Sequence, residues 1–131
     1  MPIPFIDLQA QRKRLGEPLE AAILEVVRSG AYVMGPQVAA FEAALGEFGQ
    51  APHVLSCGSG TEALMLPLMA WGIGPGDAVF CPSFTFAATA EVVPLVGASP
   101  VFVDILPDTY NMDAAHLDAA IEAVKAEGKL T

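Results

Sequence analysis

Positive charge is what this sequence has least of: six Lys and Arg stand against fifteen Asp and Glu, for a net charge of −9. The acidic residues are spread along the chain, and no basic stripe is available for nucleic acid or an anionic membrane surface. Cysteine is scarce as well. Cys57 and Cys81 each sit in an apolar, strand-like segment with no His or second Cys at metal spacing. That pattern argues against a metal site and leaves two buried free thiols as the expectation. A disulfide is not expected in a reducing cytoplasm. Long apolar runs are missing too: Gly, Pro or a charge interrupts each well before the ~18 residues of a membrane span. The N-terminus lacks a basic-then-apolar signal pattern. These absences point to a cytoplasmic protein with a small-molecule or protein partner.

Apolar residues, by contrast, are plentiful. They make up 53% of the 131 residues, against 16% charged, and the mean hydropathy is +0.50. A chain of this length holds one core, and this much apolar residue exceeds what a lone domain of the size buries. The surplus implies a partner surface. No repeat of solenoid period and no low-complexity tract is present.

Read in order, residues 1–15 show no sustained period and suggest an arm, with Arg12, Lys13 and Arg14 holding half of the basic residues. Apolar residues at helical spacing predict a helix over Leu15–Val27, ended by Ser29-Gly30. A loop Gly30–Gly35 follows, then a second amphipathic helix from Pro36 to Gly49. Three strand-then-helix pairs come next: His53–Cys57 with Glu62–Trp71, Ala78–Cys81 with Phe84–Val93, and Val101–Val103 with Ala114–Ala126. Asp113 is the expected N-cap of the last helix. Such alternation predicts an α/β fold, with mostly parallel strands covered by helices. Pro67 is the awkward residue, because inside a helix it removes a backbone bond at a cost of ~3 kcal/mol.

The turn Gly58-Ser-Gly-Thr-Glu-Ala63 joins a strand to a helix, where free N–H groups and the positive helix end hold an anion, phosphate above all. Ser59 and Thr61 add hydroxyl donors. A ligand-free glycine turn fits the same residues. So does the dinucleotide fingerprint G-x-G-x-x-A, with Asp77 as its ribose acid; but that acid belongs at the carboxyl end of the second strand, and Asp77 precedes the strand. Pro82–Thr89 places two aromatics and two threonines at the carboxyl end of a strand, where open α/β sheets bind ligands. Phe84 is expected to be core.

Taken in order, Gly30–Gly35, Phe41-Glu42, Ser59–Leu64, Gly74–Asp77, Pro82–Thr89, and Val101–Asp104 with Tyr110–Asp113 resemble the DegT/DnrJ/StrS sugar aminotransferases. The resemblance implies the N-terminal part of a fold-type I large (cofactor) domain, 1–131, preceded by an arm and helix at about 1–29. The rest of that domain and a C-terminal domain would be absent. It implies a pyridoxal 5'-phosphate enzyme moving an amino group, from glutamate, to a nucleotide-linked keto sugar, and a homodimer with active sites at the subunit interface. Carried over by position, Ser59, Gly60, Thr61 and the backbone of Glu62 would bind the cofactor phosphate. Phe86 would stack on the ring, and Tyr32 would touch substrate or the other subunit. Fold-type I chemistry also needs a Schiff-base lysine and an acid for the pyridinium nitrogen. Lys13, Lys125 and Lys129 all lack the family's motif, so the chain alone is expected to be inactive. Two other readings stay open: a sugar dehydratase of the same family, and a non-catalytic α/β module that binds phosphate or a partner.

Overall fold

An aspartate, not an apolar stripe, starts the first helix. In the computed structural model, which describes residue 3 and residues 5–127, the Asp7 carboxylate accepts the Ala10 N–H at 2.9 Å and opens α1, Leu8–Leu15. Arg12, Lys13 and Arg14 complete the helix at the end where its dipole favours positive charge. The expected arm is therefore helical over half its length; capping and dipole supply what the missing period did not. The chain divides into two compact units, Met1–Ser56 and Cys57–Thr131.

In the first unit, Gly16 ends α1 and leads into α2, Glu17–Ser29, with Pro18 in its first turn. After the loop, α3 spans Pro36–Gly49, as the sequence predicts. Residues 53–57 do not form the expected strand. A strand is stable only when its N–H and C=O groups meet a neighbour, and among the described residues no strand pairs with this segment. Instead the Glu42 carboxylate, on α3, holds the segment by its end. Its Oε1 accepts both the Ser56 N–H and the Ser56 hydroxyl, each at 2.8 Å. Those bonds, the backbone one first, pull the Glu42 pKa below the ordinary 4.5.

The second unit is a βαβ layer. Helix α4, Gly60–Ala70, leads through the turn at Gly74 to Asp77 into β1, Ala78–Pro82. Helix α5, Ala88–Leu95, then crosses to β2, Ser99–Val103, which pairs parallel to β1 with Ala78 opposite Ser99 and Pro82 opposite Val103. Helix α6, Ala114–Glu127, packs on β2. Its N-cap is Asp113, whose carboxylate accepts the Ala115 N–H at 2.8 Å. The predicted α/β architecture with parallel strands is present, with two strands in place of three. Helix α4 runs through Pro67 and closes three residues later, giving up the one bond that residue 67 would have donated to the Ala63 carbonyl.

The core is small. Cys81, Val92, Val93 and Ala98 are buried together, with Met65 and Leu68 of α4 and Ile73, Val79 and Val96 packed against them. Among the described residues the other buried apolar side chains are Ala88 and Val103. Leu55, Phe48 and Trp71 are exposed, as the apolar surplus implied. Two expectations fail here. Cys57 is exposed, because its strand does not form; Cys81 is buried, and burial raises its thiol pKa. Phe84 is also exposed, since α5 begins at Ala88, four residues later than the periodicity indicated. The expectations placed on Pro2, Pro4 and 128–131, Lys129 included, lie outside the described residues.

Val93, fully buried, supplies a test of this core: Val93→Ala should lower stability by about 1–3 kcal/mol in urea melts. A loss under about 0.5 kcal/mol would mean that the cluster is not the core. The Glu42 bonds make a second prediction. A depressed carboxyl stabilises the fold above its unfolded pKa, and that contribution disappears as the pH falls through the folded value. In an NMR titration of the Glu42 carboxyl, Ser56→Ala should bring the midpoint back toward 4.5 by the smaller part of the shift, because the backbone bond remains. An unmoved midpoint would show that the hydroxyl bond is not made in solution.

Candidate functional site

The amino end of α4 is where the second unit offers unpaired donors. Ser59 is its N-cap in extended backbone, and the Ser59 Oγ accepts the Glu62 N–H at 3.2 Å. The Ser59 carbonyl accepts the Ala63 N–H at 3.0 Å. The Glu62 carboxylate folds back, its Oε2 accepting the Gly58 N–H at 2.6 Å. This is a relative of the capping box, with the acid reaching one residue further upstream. The spacing Ser59-x-x-Glu62 carries that signal in the sequence, although the sequence reading used only the glycines and hydroxyls of the turn.

Once those bonds are counted, the N–H groups of Gly60 and Thr61 have no acceptor among the described residues. They are the first two of a helix, where backbone donors are orphaned and the dipole is positive. A Cβ built on Gly60 would meet nothing within 4 Å, whereas one on Gly58 would lie 3.0 Å from the Glu62 Oε2. The open approach is therefore at Gly60. Ser59 keeps its hydroxyl hydrogen while its oxygen caps the helix, and the Thr61 hydroxyl has no partner among the described residues.

A second group of residues gathers at the carboxyl edge of β1 and β2. The Ser83 N–H donates to the Val103 carbonyl at 2.8 Å, and the Ser83 hydroxyl to the Asp104 Oδ1 at 3.3 Å. The same Asp104 oxygen accepts the Ile105 N–H at 2.8 Å. Phe84 packs against Tyr110, ring centroids 5.4 Å apart and tilted by 36°. Tyr110 holds a left-handed φ of 60°, a strained conformation for a residue with a side chain. Phe86 stands on the loop before α5, 79% exposed, with no ring partner among the described residues. Thr85 and Thr89 link their hydroxyls at 3.0 Å beside it.

Ser59, Gly60, Thr61 and Glu62 thus share one turn, and Phe86 belongs to the same unit. Tyr32 belongs to the first unit, exposed, its hydroxyl donating to the Val27 carbonyl at 3.0 Å. The Glu62 N–H, expected as a phosphate donor, is already taken by the Ser59 Oγ. Asp77 spends its carboxylate on the Gly74 N–H at 2.9 Å, at the amino end of β1. That is the wrong end of the strand for a ribose acid. Lys125 pairs with Glu122 at 2.8 Å on the exposed face of α6. In the first unit a groove of about 660 Å³ lies between α3 and the segment after it, lined by Glu42, Gly46, Glu47, His53 and Leu55 among others. None of the candidate residues lines it. No helix of the described residues is long and apolar enough to cross a membrane.

With this geometry in view, comparison with known proteins is specific. A UDP-2-acetamido-2-deoxy-3-oxo-D-glucuronate aminotransferase of Pseudomonas aeruginosa is 50% identical over 119 residues, which is 91% of this chain and 33% of that protein. A solved DegT DnrJ EryC1 StrS aminotransferase from Brucella abortus superposes with a TM-score of 0.93 at 60% identity, over 98% of this chain and 35% of the other. NtdA from Bacillus subtilis, solved with bound cofactor PMP, gives 0.83 at 32% identity, over 90% of this chain and 27% of its own. The chain spans about a third of the length of the curated relatives it matches. The profile of one family matches residues 13–126, and the chain belongs to that family, the DegT/DnrJ/EryC1/StrS aminotransferases.

Proposed function

We propose that this chain is the N-terminal part of the cofactor domain of a pyridoxal 5'-phosphate-dependent aminotransferase. The full-length enzyme acts on a nucleotide-linked keto sugar, with glutamate as amino donor, as a cytoplasmic homodimer. One observation carries the reading: two adjacent backbone N–H groups, of Gly60 and Thr61, stand unpaired at the positive end of α4, with open space in front of Gly60. A phosphate monoester suits that arrangement in charge and in acceptor number. The family membership supports pyridoxal 5'-phosphate as the phosphate's owner. The Pseudomonas relative's UDP-linked 3-oxo sugar supplies the substrate class, and PMP, the amine form of the cofactor, is what NtdA holds.

In this reading the cofactor supplies an electron sink that stabilises negative charge at the substrate carbon. The chain's own residues bind and orient it. Gly60 and Thr61 donate backbone N–H bonds to the phosphate, and the hydroxyls of Ser59 and Thr61 add charge-assisted bonds. Phe86 offers the exposed aromatic face for the pyridine ring, and Tyr32 is a contact for substrate or the other subunit. None of Lys13, Lys125 and Lys129 carries the chemistry, so the 131-residue chain alone performs no amino transfer.

Two outcomes test the reading. Thr61→Ala in the full-length enzyme should weaken binding of pyridoxal 5'-phosphate by about 1–3 kcal/mol, read by titration of the cofactor into the apoenzyme. An unchanged affinity would remove Thr61 from the site. The isolated chain should release no amino-sugar product from a nucleotide-linked keto sugar and glutamate; measurable turnover would overturn the assignment of the chemistry to residues beyond this chain.

A further inference from the structure

A glutamate in the first turn of a helix gains from the dipole wherever its carboxylate floats in solvent. Glu62 does more than float. Its Oε2 is 2.6 Å from the Gly58 nitrogen, and the space where Gly58 would carry a side chain is closed by that same oxygen, 3.0 Å from a built Cβ. The return bond, from the Glu62 N–H to the Ser59 Oγ at 3.2 Å, fixes the other side of the turn. Two reciprocal bonds therefore tie down the peptide units on both sides of Gly60 and Thr61. What they leave unpaired is the pair of N–H groups assigned to the phosphate.

A carboxylate beside a phosphate site has a cost, since like charges repel. If Glu62 acted by charge alone, it would weaken anion binding, and neutralising it would tighten the site. Its geometry argues for a different contribution. The Gly58 N–H is an orphan donor just upstream of the helix, and without Glu62 it is free to turn the peptide away or to compete for the incoming anion. We infer that Glu62 is a positioning residue: its carboxylate holds the Gly58 peptide so that the Gly60 and Thr61 N–H groups stay presented to the phosphate, and it makes no contact with the phosphate itself. This inference rests on the proposed function and goes beyond it in giving the Glu62 side chain a task separate from its backbone.

The acceptor and the charge separate cleanly in two variants of the full-length protein. Glu62→Gln keeps an oxygen able to accept the Gly58 N–H and removes the charge; Glu62→Ala removes both. Affinities for pyridoxal 5'-phosphate and for inorganic phosphate are measured by titration of the apoenzyme. Exchange of the Gly58 amide is followed by mass spectrometry in the cofactor-free protein. The expected result is that Glu62→Gln binds both probes within about threefold of wild type, while Glu62→Ala loses about tenfold, the size of one unmade hydrogen bond. The Gly58 amide should be protected in wild type and Glu62→Gln, and exchange faster in Glu62→Ala.

If wild type binds the cofactor and Glu62→Ala binds it equally well, positioning by Glu62 is overturned while the proposed function stands. If Glu62→Gln falls with Glu62→Ala, charge and not the acceptor is what matters, and the inference is again overturned. Wild type that binds no cofactor removes the proposed function. The amide exchange then decides the Glu62 bond by itself, with equal rates in all variants overturning it.

Discussion

Everything the second unit can offer depends on how α4 is pinned. Met65 and Leu68 of that helix pack on Cys81, Val92, Val93 and Ala98, a cluster drawn from β1, α5 and the turn before β2. The same cluster seats α5 against two strands that pair directly and in parallel, from Ala78 opposite Ser99 to Pro82 opposite Val103. A helix pinned at its carboxyl half has its amino end aimed by the pinning. The donors at Gly60 and Thr61 thus point where apolar contacts, made several residues away, direct them. This division suits a binding site: burial supplies the rigidity, and the turn, free of bulky side chains, supplies room.

How much of this was legible in the sequence depended on how local the cause was. Helices α2, α3 and α6 show as apolar spacing, and Asp113 announces the last of them because a cap acts within one turn. Helix α1 escaped notice because its cause is a cap at Asp7 and a basic last turn, with no apolar stripe between Leu8 and Leu15. Residues 53–57 have a strand's composition but no strand's neighbour, and composition cannot supply hydrogen-bond partners. The bond from Glu42 to Ser56 crosses fourteen positions and two elements, and no spacing rule connects them. At the site, glycines and hydroxyls marked the turn correctly. The Ser59 cap on the Glu62 N–H was equally readable from the S-x-x-E spacing, but the carboxylate's bond to the Gly58 N–H was not. The exposure of Phe84 was not readable, because the start of α5 is set by the loop bonds around Thr85 and Thr89.

Holding a phosphate on a chain of net charge −9, as proposed, would pose an electrostatic question, which the turn would answer without lysine or arginine. Neutral peptide dipoles, aligned by α4, provide positive potential over a few ångströms and leave the long-range field acidic. An anion bound as proposed would be held by short contacts, against the acidic field of these 131 residues.

Donors that belong to the peptide unit have an evolutionary consequence. A side-chain ligand can be erased by almost any codon change, but the N–H groups of Gly60 and Thr61 survive every substitution except proline. Proline is also well tolerated at the first position of a helix. Gly60 occupies that position. A single change there could leave the fold standing while silencing half of the proposed backbone grip on an anion, whereas drift in the rest of the turn is limited by the side chains of Ser59 and Glu62 that shape it.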